Sequence, residues 1–147
     1  MIASKRRLVG RLHVALAPAE AFALFTPLGE RGWAHGWEPH FPTPVSDDTE
    51  PGTVFETDAH GQRTVWIVTG RERPRRIAYA RLTPDSRAGT VSLALKPSGA
   101  HTEVEVTYEL TPLTPSAVPE LQRFADGYAA YLESWERAIS TSLSHRP

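Results

Sequence analysis

The chain has 147 residues, no cysteine and a formal net charge of −1. That length predicts one domain, residues 1–147, burying roughly two-thirds of its unfolded surface around one core. A near-neutral total gives no electrostatic basis for binding nucleic acid or an anionic membrane, and the missing thiols exclude disulfides, thiolate catalysis and cysteine-based metal sites.

The N-terminal "MIASKRRLVGRLHV" is basic, but arginines interrupt it before a signal-peptide core can form. No apolar run approaches the length of a transmembrane helix, so a soluble, cytoplasmic protein is expected. Within "RRLVGRLHVAL", Leu8, Leu12, Val14 and Leu16 alternate with Arg7, Arg11 and His13. Period two with polar partners predicts a strand buried on one face. Pro18 then opens "APAEAFALFTPLGERGWAHGW", where proline suits a first helical turn. Phe22 and Phe25 share a face of this helix. Pro27 should end it, leaving a second short helix that stops near Gly36.

From Phe41 to Thr114 the pattern is β. The runs "GTVFETDA" and "QRTVWIVTG" flank a turn at His60-Gly61, and "RRIAYARLTP", "GTVSLALKP" and "TEVEVTYELTPL" follow. In the last run Val104, Val106, Tyr108 and Leu110 should face inward. The prolines fall at run ends and in loops, which supports these boundaries. A long helix, about 117–143, closes the chain with Ser116 as its expected N-cap. Leu121, Phe124, Tyr128, Leu132, Trp135 and Ile139 form one stripe, opposite Arg123, Asp126, Glu133 and Arg137. Gly127 interrupts this helix, either to make room beside it or to allow a bend.

Strand, two short helices, five or six strands in hairpin succession and one long amphipathic helix define an α+β arrangement. A curved antiparallel sheet wrapped around a helix leaves a gap in which an apolar ligand can bind. The opening "APAEAFALFTPLGERGWAHGW", with "VTGRERPRRIAYAR", "VEVTYELTPL" and "YLESWERAI", resembles the START and polyketide-cyclase (SRPBCC) superfamily over nearly the whole chain. The resemblance implies a helix-grip fold: a curved sheet around a long C-terminal helix, with two short helices between strands 1 and 2. It further implies a deep cavity for a lipid, polyketide or similar hydrophobic molecule. Members include binding proteins, aromatase/cyclases and homologues of heat-shock-ATPase activators, so three functions stay open: ligand binding, cyclase or dehydratase chemistry, and protein interaction.

The candidate site residues are aromatic. Trp33 and Trp37 are four apart and could share a helical face at the cavity mouth. Trp66, Tyr79 and Tyr108 come from the strands, and Phe124, Tyr128 and Tyr131 from the final helix. An aromatic stripe at helical spacing is more often core, although a buried tyrosine needs a partner for its hydroxyl. The string "RRIAYARL" reads either way: Ala78, Ala80 and Leu82 inward, or Ile77, Tyr79 and Arg81 inward. A solvated Arg81 is the expectation; turned inward, it would suit an anionic or enolate-bearing substrate. Glu56 is expected on an exposed strand face, with general acid–base work as its alternative.

His35, Glu38 and His40 lack the i, i+4 spacing and further ligands of a metal site, so no metal is expected. Arg71, Arg73, Arg75 and Arg76 read as a solvated hairpin tip. No nucleophile elbow, phosphate loop or dinucleotide fingerprint occurs, so no cofactor is expected. The expected partner is a small hydrophobic molecule, with no nucleic acid and no membrane, bound by a monomer or homodimer.

Overall fold

A computed structural model describes residues 5–59 and 61–145. His60 of the expected turn and residues 1–4 lie outside that range. Six strands form one antiparallel sheet: β1 (Arg6–Val14), β2 (Val54–Ala59), β3 (Gln62–Glu72), β4 (Arg76–Thr83), β5 (Arg87–Ser98) and β6 (His101–Pro112). They are arranged β1-β6-β5-β4-β3-β2. Consecutive strands from β2 to β6 pair as hairpins, and β1 closes on β6. Residues 41–53, expected to be β, precede β2 as loop and turns. They are tied to β3 by Gly52 N–H donating to Val68 O at 2.7 Å and Val68 N–H donating to Thr53 O at 2.9 Å. Just before them, His40 and Glu56 exchange two backbone hydrogen bonds, each 2.8 Å.

The alternation reads out as the periodicity predicts. Leu12 and Val14 on β1 are buried, as are Val104, Val106, Tyr108 and Leu110 on β6. Between β3 and β4 the register slips at Val68/Gly70, so one extra residue on β3 has no partner. Such a bulge bends and twists its strand, which curves the sheet.

Helix α1 (Pro18–Leu24) begins with its proline in the first turn and buries Phe22, with Phe25 buried at its C-cap. The second expected helix is much shorter. It is one 3₁₀ turn, Gly29–Gly32, capped by Trp33. Pro27 and two glycines give these residues little helical propensity, so the turn does not propagate. A Cβ on Gly29 would run into the Ala23 carbonyl oxygen. Glycine therefore lets the 3₁₀ turn tuck against the end of α1.

The C-terminal helix is divided at Gly127 into α2 (Ala117–Asp126) and α3 (Tyr128–Ser144). Gly127 sits at φ −97°, ψ 10°. The ladder continues through it, from Gly127 N–H to Arg123 O and from Tyr131 N–H to Gly127 O. The glycine thus acts as a kink, resolving the choice between room and bend toward a bend. Ser116 occupies the expected N-cap position of α2 but makes no side-chain capping bond: its hydroxyl lies 3.2 Å from Thr114 Oγ1 and reaches no helix N–H. Among the described residues no helix is long and apolar enough to cross a membrane.

Candidate functional site

Helix α3 lies over β1 and β6, where Tyr128 donates a 2.7 Å hydrogen bond to the Val106 carbonyl. Toward β2 the sheet curves away from the helix, and a cavity of about 570 Å³ opens between them. Its floor is the inward face of four strands: Phe55 and Thr57, Thr64 and Trp66, Tyr79, Arg81 and Thr83, and Arg87, Val91 and Leu93. Each set steps by two or four residues, as one face of a pleat requires. Tyr108 adds to the floor, while Phe124, Tyr131 and Trp135 on the helices, with Glu30 and residues 33–37, complete the wall.

Of the eight aromatic residues singled out from sequence, Trp33, Trp37, Trp66, Tyr79, Tyr108, Phe124 and Tyr131 line this cavity. Tyr128 does not. Its ring packs where Gly10 lacks a side chain, and its hydroxyl is spent on the backbone. The two N-terminal tryptophans reach the wall without sharing a helix. Trp33 Nε1 donates to Leu24 O and Trp37 Nε1 to Pro27 O, both at 2.7 Å. The Leu24 carbonyl is one of those a short helix leaves unsatisfied at its C-terminal end, so Trp33 is both cap and wall. Trp33 meets Phe25 and Trp135 edge-on, and Trp37 meets Trp66 and Phe55 edge-on. Trp66 stacks parallel to Phe55 at 5.9 Å, and its indole N–H donates to Thr57 Oγ1 at 3.0 Å.

Strand β4 turns its Ile77, Tyr79, Arg81 set inward and leaves Leu82 exposed. Arg81 is therefore not solvated, contrary to the sequence expectation. Leu82 and Arg81 exchanged their expected places because β4 is apolar on both faces, and its register on β3 decides the matter. The Arg81 guanidinium lies 5.0 Å above the Trp66 ring, and Nη2 donates to Thr83 Oγ1 at 2.8 Å. Its Nε is buried without a hydrogen-bond partner among the described residues. Burial lowers its pKa, but an arginine remains charged. Arg87 stands nearby, 5.3 Å over the Phe124 ring.

Glu30 was not singled out from sequence. The 3₁₀ turn delivers it to the cavity wall, and burial alone pushes its carboxyl well above the ordinary carboxylate range. Its charge, when present, raises the tyrosines Tyr79, Tyr108 and Tyr131, which places all four groups around one space. Burial is the largest cause of the upward shift for each of these tyrosines. Tyr131 keeps 38% of its surface accessible, yet its hydroxyl is enclosed beside Tyr108 and Trp135. Tyr79 donates to the Phe25 carbonyl at 2.8 Å. The one sequence signal for Glu30 was its place between two glycines, in a segment too short to hold a regular helix.

The remaining candidates lie elsewhere. Glu56 faces away from the cavity and pairs with Arg63. Glu38 pairs with Arg31 at 3.7 Å, and among the described residues no three His, Asp or Glu side chains converge as metal ligands. The basic hairpin is tied down: Arg71 to Asp47 and Thr49, Arg75 to Glu72, and Arg73 over the Phe22 ring.

Solved structures share this architecture. A protein of Rhodobacter sphaeroides is 22% identical, with TM-score 0.68 over 96% of this chain and 94% of that one. CalU16 of Micromonospora echinospora is 17% identical, with TM-score 0.70 over 97% of this chain and 77% of that one. DynU16, from the dynemicin biosynthetic locus, is 17% identical with TM-score 0.65; the match covers 92% of this chain but 47% of DynU16. At these identities the likeness is one of fold. No curated protein sequence matches the chain. The family model described as polyketide cyclase / dehydrase and lipid transport matches residues 5–138, and with its helix-grip architecture the chain belongs to that family, within the START and polyketide-cyclase superfamily.

Proposed function

We propose that the described chain works as one ligand-binding unit, taking a small hydrophobic molecule of lipid or polyketide type into the space between sheet and α3. The observation that carries this reading is the cavity of about 570 Å³, walled by aromatic side chains from the sheet, both C-terminal helices and the 33–37 segment. Its size falls within the roughly 300–1,000 Å³ of small-molecule sites. The family description, which joins cyclase chemistry to lipid transport, supports the same reading. Native mass spectrometry of freshly purified protein, followed by titration of lipids and fused-ring aromatics under tryptophan fluorescence, tests it. A true ligand at a hundredfold excess over its dissociation constant should stabilise the fold by about 3 kcal/mol. Bare protein in the spectrum and no shift with any of these ligands would dispose of the idea.

A second reading, cyclase or dehydratase chemistry, is favoured by one observation: Glu30 and Arg81 both reach a cavity otherwise lined by rings. Arg81 would hold an enolate oxygen, a preorganised charge in a dry site. The neutral Glu30 carboxyl would supply a proton to the oxygen of the attacked carbonyl. Turnover of a poly-β-keto thioester mimic, lost in Glu30→Gln while binding persists, would support catalysis. Binding without any product would leave the protein a carrier.

A further inference from the structure

The cationic side of the cavity has a chemistry of its own. Arg81 and Arg87 both line it, and neither forms an ion pair with a carboxylate among the described residues. Burial is the largest influence on both guanidinium groups. Glu30, the one carboxyl side chain lining the cavity among the described residues, forms no ion pair with either arginine. One ring face and one threonine hydroxyl are little compensation for a guanidinium removed from water.

The threonines beside it add a donor. Arg81 Nη2 donates to Thr83 Oγ1, which lies 2.6 Å from Thr64 Oγ1. Two hydroxyls that share one hydrogen bond leave one hydroxyl hydrogen over, whichever of them donates. Both threonines line the cavity and both are buried. This corner therefore offers a fixed positive charge and a spare O–H donor. Next to it, Trp66, Trp37 and Phe55 form an apolar wall suited to a flat ring.

We propose that the cavity selects a planar, mainly aromatic molecule bearing one oxyanion, with the anion seated on Arg81 and the Thr64–Thr83 pair and the ring system against Trp37 and Trp66. This inference rests on the cavity being a ligand site, and it narrows the ligand class from hydrophobic to amphipathic and anionic. A neutral lipid would leave Arg81 uncompensated, and a cationic ligand would be repelled.

Two fluorescent probes separate the cases: anilinonaphthalene sulfonate, and phenylnaphthylamine, which has the same ring skeleton without the sulfonate. The ratio of their dissociation constants is measured in the wild type, Arg81→Met and Thr64→Val. Methionine keeps the apolar stem over Trp66 while removing the charge. A charge-assisted contact corresponds to roughly tenfold or more in affinity. Arg81→Met should shift the ratio by at least about tenfold against the sulfonate. Thr64→Val should shift it the same way by a smaller factor, and it stands as an independent test if the arginine variant folds poorly. An unchanged ratio in both variants, with the neutral probe still bound, overturns the anion inference alone. Failure of the wild type to bind either probe overturns the cavity reading and this inference with it.

Discussion

Gly10→Ala should separate helix from sheet at the point where α3 crosses β1. A methyl there would stand 2.5 Å from Leu132 Cδ1 and 3.2 Å from Tyr128 Cε2. Carbon atoms pack best at about 3.5–4.0 Å, so Leu132 must withdraw by about 1 Å or more. Little room exists for that. Leu132 is 2% exposed, and Tyr128 is anchored by its hydroxyl to the Val106 carbonyl. Overpacking of this kind costs about 1–3 kcal/mol, partly offset by about 0.5–1 kcal/mol because alanine loses less chain entropy than glycine. The net expectation is a loss of about 1–2 kcal/mol, read as a Tm lower by about 2–8 °C in a chain of this size. Urea unfolding followed by circular dichroism would give the free energy directly. Leu132→Ala alone should cost about 2–5 kcal/mol, but the double variant should cost less than the sum by about 1 kcal/mol or more. A Gly10→Ala protein as stable as the wild type, or strict additivity in the cycle, would refute the packing argument. Because Tyr131 and Trp135 ride on the same helix, ligand affinity should fall together with stability.

Glu30→Gln tests the buried carboxyl through pH. A folded-state pKa raised above the unfolded value of about 4.5 makes the native state bind the extra proton. Its contribution to stability is full below pH 4.5 and is lost as pH rises through the folded pKa. The wild type should therefore lose stability relative to Glu30→Gln across that window; parallel stability curves would contradict the assignment. Asp47 works in the opposite sense. Hydrogen bonds from Thr49, with Arg71 beside it, lower its pKa to about 2, so its contribution is present above pH 3.8 and fades toward pH 2. In Asp47→Asn that acid-side loss should be smaller, as acid titration of Tm would reveal. Tyr79→Phe removes the hydroxyl that donates to Phe25 O; a buried bond lost in this way costs about 1–3 kcal/mol when its acceptor is left unsatisfied. Arg81→Met should be neutral or stabilising in denaturant titrations, because it removes a buried cation without a counter-ion; a loss of several kcal/mol would instead make Arg81 a structural residue.

The elements were legible in sequence where a single periodicity dominated. Alternation in 103–110 predicted β6 and its inward face, because Glu103, Glu105, Thr107 and Glu109 alternate with Val104, Val106, Tyr108 and Leu110. Proline marked the start of α1 and the end of its extension, since the ring fixes φ and removes a donor. The aromatic residues of the cavity wall were visible through their size and spacing. What sequence could not order was any segment whose two faces are alike or whose local preference is weak. Arg81 lies on such a strand, and only pairing with β3 and β5 turns it inward over Trp66. Glu30 lies in a four-residue turn with no periodicity, positioned by the close approach of Gly29 to Ala23. Gly127 was an ambiguous interruption until the kink showed in the backbone. Local pattern thus determined the strands, helices and aromatic supply. The tertiary structure decided that an arginine and an acid would share the cavity, because that depends on register and close packing between residues far apart in the chain.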